Sequence, residues 1–255
     1  MKYVLILFLL ISCESEVNKI KQPPRSSSNV QQSKELEPPM MSDSIVRLYH
    51  SMGLYRMEDS RIFIDLRYAT ENNFIGMVLY DTLNQLYLQK DVIQRLMRCQ
   101  DYLDSLHYGI RLKIFDGVRP LEVQRKMWTS MDTIPPIERG KFVSNPKFGS
   151  VHNFGAAVDL TICDSLGNDL DMGAGYDDFR TIAFPVKEAY FLKTGALSKK
   201  QYENRKLLRS TMKLQGFSSI PSEWWHFNAY PRREAQDRFE MLINESGRHR
   251  KWNMQ

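Results

Sequence analysis

Two short stretches carry the residues with usable chemistry. Ser150-Val-His-Asn-Phe-Gly-Ala-Ala-Val-Asp159 offers an imidazole, His152, and a carboxylate, Asp159. Glu223-Trp-Trp-His226, far down the chain, offers a second imidazole and a free carboxylate. Two His and one Asp make a ligand set for a divalent transition metal. Catalytic zinc sites use three protein ligands and keep a fourth position for water, whereas structural sites close all four, usually with Cys. No closely spaced Cys pair is available here, since the three cysteines are Cys13, Cys99 and Cys163.

On a helix, His152 and Asp159 would stand about 10 Å apart along the axis, too far to share an ion. Phe154-Gly-Ala interrupts any helix, and a turn leading into a strand can bring both side chains to one point, with His226 arriving from a distant strand. The expectation is that the three donor atoms converge within about 5 Å, a separation ordinary for ligands around zinc. Glu223, three residues before His226, could take a proton from a water whose pKa the metal lowers to about 7, and return it to a leaving amine. Arg119 follows a strand end and precedes Pro120, a place for a fixed guanidinium that steadies an oxyanion. Taken singly, each of these residues has a plainer reading, Arg119 as a salt-bridge partner and Trp224 and Trp225 as core and pocket wall. His50, His107 and His249 keep the plain reading of surface or hydrogen-bonded histidines. The joint pattern carries the assignment.

The scaffold is an ordinary one. Of 255 residues, 42% are hydrophobic and 25% charged, which suits one globular domain with tails. The net charge of +5 is spread along the chain without the concentrated basic stripe of a nucleic-acid binder, so no nucleic-acid partner is expected. The start differs. Lys2, the apolar run to Ile11 and Ser12-Cys13 read as a secretory signal, residues 1–12, too short to span a membrane. Leu10-Ile-Ser-Cys13 also resembles the bacterial lipoprotein box, which would lipidate Cys13. The alternative is a plain signal peptide with an incidental Cys. Residues 13–42 are nearly devoid of apolar side chains and read as a disordered tether. The expectation is an exported protein, lipid-anchored in the cell envelope and facing the periplasm. Cys99 and Cys163 are left open between a single bridge and two buried thiols.

The folded part should begin near Asp43, with a short helix to Gly53 and a strand over 61–66. Apolar spacing predicts a helix over 91–108 that Gly109 stops. Alternation at Ile110, Leu112 and Ile114 predicts a strand ending at Asp116-Gly-Val-Arg-Pro120, and Pro120 opens a helix to about Met131. Residues 132–149 read as irregular, 157–163 as a strand and 164–169 as a turn. The capping box Ser198-Lys-Lys-Gln201 opens a helix to about Leu214. The catalytic domain would span 43–235, with 236–255 a helix end and a charged, frayed tail. Strands and helices without regular alternation predict α+β, a small antiparallel sheet flanked by helices.

Ser150-x-His152-x-x-Gly155-x-Ala157-x-Asp159 with Glu223-x-Trp225-His226 resembles the D-alanyl-D-alanine dipeptidases of the VanX type, zinc D,D-peptidases that share a fold with hedgehog domains and lysostaphin-like enzymes. Tyr68-Ala-Thr with Asn73-Phe74, Asp116 to Pro120, Met172 to Asp177, and Arg205 to Met212 before Gly216-Phe217 match in the same order, so the likeness covers about residues 60–230. The resemblance implies one zinc per chain, held by His152, Asp159 and His226, with Glu223 as general base and acid and Arg119 stabilising the transition state. It implies that Ser150, Tyr68 and Asp177 line a dipeptide pocket, Tyr68 and Asp177 facing the substrate ammonium and Ser150 its carboxylate. Hydrolysis of D-Ala-D-Ala in peptidoglycan turnover is the expected activity. A D,D-carboxypeptidase acting on longer stems and a non-catalytic hedgehog-like binding module are the alternatives. Residues 170–176, with Gly175-Tyr176, and the N-terminal tether depart from the soluble cytoplasmic members.

Overall fold

The structure, a computed structural model, describes residues 41–106, 109–140 and 142–252. The signal segment, the tether up to residue 40, Cys13 and His107 lie outside the described residues.

In chain order the elements are α1 (Asp43–Ser51), β1 (Leu54–Arg56), β2 (Phe63–Ile64), β3 (Tyr87–Gln89), α2 (Lys90–Leu106), β4 (Arg111–Asp116), α3 (Leu121–Ser130), α4 (Pro136–Arg139), β5 (Ala157–Cys163), α5 (Glu188–Thr194), α6 (Lys199–Leu214), β6 (Ser218–Ser219), β7 (His226–Asn228), α7 (Arg232–Arg238), β8 (Met241–Leu242) and β9 (His249–Arg250). The fold is α+β, as the sequence predicts.

The main sheet runs β2-β4-β5-β7-β6. Three of its four pairings are antiparallel, and β2 runs parallel to β4. The parallel pair departs from the antiparallel expectation for a physical reason. The chain between β2 and β4 contains α2, and a strand that returns through a crossover helix re-enters the sheet in the same direction.

On β5 the side chains alternate. Val158, Leu160 and Ile162 join Leu96 and Leu103 of α2 and Leu208 and Met212 of α6 in the largest core cluster. Asp159 therefore points to the other face. Both Cys99 and Cys163 are buried free thiols, which resolves the alternative left open by sequence.

The frayed C-terminal tail is corrected. Residues 241–250 form the β8–β9 hairpin, with Met241 and Leu242 fully buried. Glu245 in its turn accepts the backbone N–H groups of Asp81, Thr82 and Leu83 at 2.9, 2.5 and 2.8 Å. Charge in this segment masked an anchor. Residues 132–149, expected to be irregular, hold the single helical turn α4, and α5 had no counterpart in the sequence reading.

Candidate active site

Strand register builds the floor of the site. Asp159 on β5 lies opposite His226 on β7 and opposite Asp116 on β4, so three polar side chains form one row across the sheet. Asp116 reaches this row through a bulge. Ile114 pairs with Leu160 but Asp116 pairs with Asp159, so β4 advances two residues while β5 advances one. Without the extra residue, Asp116 would share the core-facing side of Ile114.

His152 comes from a 3-10 turn, Val151–Phe154, that precedes β5. Ser150 caps this turn, its Oγ accepting the His152 N–H at 3.3 Å, and Asn153 Oδ1 accepts the Ser150 N–H at 2.7 Å. Gly155 ends the turn at φ 63°, a left-handed conformation suited to glycine. A Cβ there would sit 2.4 Å from Leu54 Cδ2. Its carbonyl accepts the Gln89 N–H, and the Gln89 side chain donates to Phe154 O at 2.9 Å, so β3 clamps the turn.

The ligand candidates converge. His152, Asp159 and His226 each offer a donor atom, and all three atoms lie within 4.8 Å of one another. In the neutral imidazoles, the second contacts decide which atoms carry lone pairs. His152 Nδ1 lies 2.8 Å from the Gly117 carbonyl, which can only accept, so Nε2 is bare. His226 Nε2 lies 3.0 Å from Asn228 Oδ1, so its Nδ1 is bare. These bare nitrogens are 3.1 Å apart, and Asp159 Oδ1 lies 3.2 and 3.0 Å from them. The other Asp159 oxygen accepts from Arg119 Nη2 at 3.2 Å and from the Tyr176 hydroxyl at 3.1 Å. Three electron-rich atoms thus face each other, and the hydrogen bonds on the far side of each group fix the direction in which it points, as the outer partners of zinc ligands do. The donor set fits a zinc ion.

Around this point lies a cavity of about 170 Å³, whose lining includes Tyr68, Arg119, Ser150, Asp177, Glu223 and Trp225. Glu223 Oε2 is 3.9 Å from His226 Nδ1. Burial, reinforced by Asp159 and Asp177, pushes its pKa up to about 7 against the pull of His226. Burial likewise raises Asp177 to about 7, helped by Asp159. The Tyr68 hydroxyl donates to both Asp177 oxygens, at 3.2 and 3.3 Å. Burial pushes the Tyr68 and Tyr176 hydroxyls well above their ordinary pKa, so both stay donors. Arg119 is held by Asp116 Oδ2 at 2.6 Å and Gln124 at 3.4 Å, and lies 4.9 Å over the Tyr68 ring.

The family description "D-ala-D-ala dipeptidase" matches residues 57–244. A D-alanyl-D-alanine dipeptidase of Escherichia coli is 32% identical over 191 residues, covering 73% of this chain and 90% of that one. The chain belongs to the D-Ala-D-Ala dipeptidase family. Dipeptidases of the same name from Synechocystis (25% identical; 58% of this chain, 71% of that one) and Enterococcus faecium (28%; 64% and 83%) also match. A zinc-bound vancomycin-resistance D,D-pentapeptidase matches at 14% identity and a TM-score of 0.36, over 60% of this chain and 79% of that one.

Every described residue to which the dipeptidase resemblance gives a site role lines this one cavity. Three participants escaped the sequence reading. Asp116 was noted only within a matching stretch, Tyr176 only within a matching stretch and a departure from it, and Asn228 not at all. Asp116 also takes a 2.5 Å hydrogen bond from the Tyr80 hydroxyl. Alternation counted from Ile114 would have turned Asp116 inward, and only a bulge reverses that. Tyr176 sits directly before Asp177 in a Gly-rich loop, and that adjacency was the available signal.

Proposed function

We propose that this chain hydrolyses the D-alanyl-D-alanine dipeptide with one zinc ion held by His152, Asp159 and His226. The observation that carries the reading is the meeting of three bare donor atoms beside the buried Glu223 carboxylate, in a chain of this family. When bound, zinc supplies Lewis-acid polarisation of the scissile carbonyl and acidifies a coordinated water. Glu223 takes a proton at its carboxylate and delivers it to the departing amine. A carboxylate raised toward neutrality by burial suits both roles near pH 7. Arg119, fixed by Asp116, donates from the cavity wall to the oxyanion of the tetrahedral intermediate. Tyr68 and Asp177 receive the ammonium end. Ser150, whose oxygen already accepts the His152 N–H, keeps its own proton to donate to the substrate carboxylate. A cavity of about 170 Å³ with a carboxylate for the ammonium and a hydroxyl for the carboxylate suits a two-residue substrate.

Hydrolysis of D-Ala-D-Ala, L-Ala-L-Ala and a pentapeptide stem by zinc-loaded protein tests this. The expected result is cleavage of D-Ala-D-Ala alone, abolished by a chelator and restored by zinc. Glu223→Ala should lower kcat by about 10²- to 10⁴-fold, the usual contribution of a general base, while zinc stays bound. Unchanged turnover in that variant, or in chelated protein, would overturn the reading. Preference for the pentapeptide would replace it with a D,D-carboxypeptidase.

The sequence supports a setting for this activity. Lipidation of Cys13 would anchor the protein in the cell envelope facing the periplasm, where peptidoglycan turnover releases the dipeptide. Labelled palmitate should mark the mature protein and be lost in Cys13→Ser. An unlabelled, freely released wild type would refute the anchor.

A further inference from the structure

Tyr176 holds Asp159 from outside the site cavity. It belongs to the stretch that departs from the family resemblance, and no role falls to it from there. Its hydroxyl donates to Asp159 Oδ2 at 3.1 Å. Yet Tyr176 lines a neighbouring cleft of about 780 Å³ and is not among the described residues that line the 170 Å³ site cavity. It therefore reaches Asp159 without entering the space that the substrate fills. The same oxygen accepts from Arg119 Nη2 at 3.2 Å, and that nitrogen lies closer to Asp116 Oδ2, at 2.6 Å. Arg119 is thus drawn three ways: by Asp116, by Asp159 and, during the proposed reaction, by the oxyanion.

We infer that Tyr176 is a positioning residue that keeps Asp159 aimed at the metal position while Arg119 turns toward the oxyanion. The inference rests on the proposed dipeptidase reading, which gives Arg119 that task. A guanidinium drawn to a growing negative charge loosens the bond it already makes. With Arg119 as the sole partner of Oδ2, every turnover would free the far side of the carboxylate, whose hydrogen bonds set its direction as a ligand. A second, independent donor removes that conflict.

The fold makes Tyr176 a fixed donor. Its ring centroid lies 4.9 Å from that of Phe115, 5.5 Å from Trp225 and 6.1 Å from Tyr68. Phe115 sits at the β4 bulge, between the Ile114–Leu160 and Asp116–Asp159 pairs. The irregularity that turns Asp116 toward the site thus also supports Tyr176. Both ends of the Tyr176 loop are fastened to α6. Buried Arg205 donates to Met172 O at 2.6 Å and to Ile182 O at 2.9 Å, and Asn204 donates to Asp171 O at 2.8 Å. Phenylalanine would fill the same space, so the bond to Asp159 is what tyrosine adds at this position.

Tyr176→Phe tests this, beside Arg119→Lys and the double variant. Zinc affinity of each protein is measured by competition with a chromophoric chelator. Turnover of D-Ala-D-Ala is measured at saturating zinc, with thermal unfolding as a control. Tyr176→Phe should weaken zinc binding by about 10- to 100-fold, the usual effect of losing an outer partner of a metal ligand. At saturating zinc it should lower kcat and leave KM unchanged, because the hydroxyl does not touch the substrate. Lysine lacks the fork with which Arg119 serves several acceptors. In Arg119→Lys the second substitution should therefore cost much less in kcat than it does alone, a non-additive pair. Wild-type zinc affinity in folded Tyr176→Phe would overturn the inference. So would a rise in KM alone, which would set Tyr176 against the substrate, and so would losses in kcat that simply multiply, which would show two independent residues. A wild type inactive on the dipeptide would sink the functional reading instead, and the zinc titration would still decide whether Tyr176 holds Asp159.

Discussion

Asp159 divides its two oxygens between tasks. Oδ1 faces the imidazoles, while Oδ2 takes Arg119 and Tyr176. A carboxylate held on one side by two donors presents the other in a fixed direction, which is what a ligand position requires. Asp177 shows the opposite economy. Its folded pKa of about 7 stands above the ordinary value of 3.8, chiefly through burial. The native state therefore holds a proton there that the unfolded chain has released, and this residue's contribution to stability drains away as pH rises from about 4 through 7. Asn cannot ionise, is tolerated in left-handed backbone, and still accepts from Tyr68. Asp177→Asn should unfold at nearly the wild-type temperature at pH 4 and several degrees higher at pH 8. The gain corresponds to about 2 kcal/mol, allowing for partial solvent access, while dipeptide hydrolysis falls. Melting curves across pH 4–8 check this, and a constant offset between the two proteins would show that Asp177 carries no such charge penalty.

At the scale of elements, the site depends on register, a turn and an anchor. The β5 strand places Asp159 against His226, and the clamp of β3 on residues 154–155 aims His152 at the same point. The anchor is the β8–β9 hairpin. Glu245 holds the N–H groups of residues 81–83 and the Thr82 hydroxyl, and its removal strands donors at the start of the segment that leads to β3. Glu245→Ala should cost about 1.5–3 kcal/mol, the range for hydrogen bonds to a charged group, and lower Tm by about 3–12 °C in a domain of this size. Thermal unfolding measures it, and a loss under one degree would mean the hairpin does not secure that loop. Sequence made some of these elements plain and hid others. The span of β5, Ala157 to Cys163, and the Ser198 capping box of α6 were legible because periodicity and capping are local properties. The proposed ligands were legible only as a joint pattern of two His and one Asp, since each taken singly has a plainer reading. Asp116 was hidden because a bulge is set by the partner strand. The hairpin was hidden because two short strands in a charged segment carry little apolar signal. The parallel β2–β4 pair follows from a crossover that only the finished sheet reveals.

For the molecule as a whole, the proposed metal site joins parts of the chain that are distant in sequence. His152 and His226 are 74 positions apart, and both belong to the structure around one sheet. The three donor atoms meet only in the folded chain, where β5 pairs with β7. Binding that occurs only in the folded state stabilises it in proportion to the logarithm of ligand excess, about 2.7 kcal/mol at one hundred times Kd. For a domain of this size that is about 5–10 °C in Tm. Zinc-loaded protein should therefore melt well above chelated protein, in one cooperative transition, because the ligand-bearing strands share a core with α2 and α6. His226→Ala should fold yet lose the zinc-dependent rise, since two remaining ligands cannot hold the ion as three do. Calorimetry with and without a chelator reads both effects at once. If the rise survives in His226→Ala, zinc is held somewhere other than the row of residues 159 and 226, and the register of β5 against β7 no longer accounts for the site.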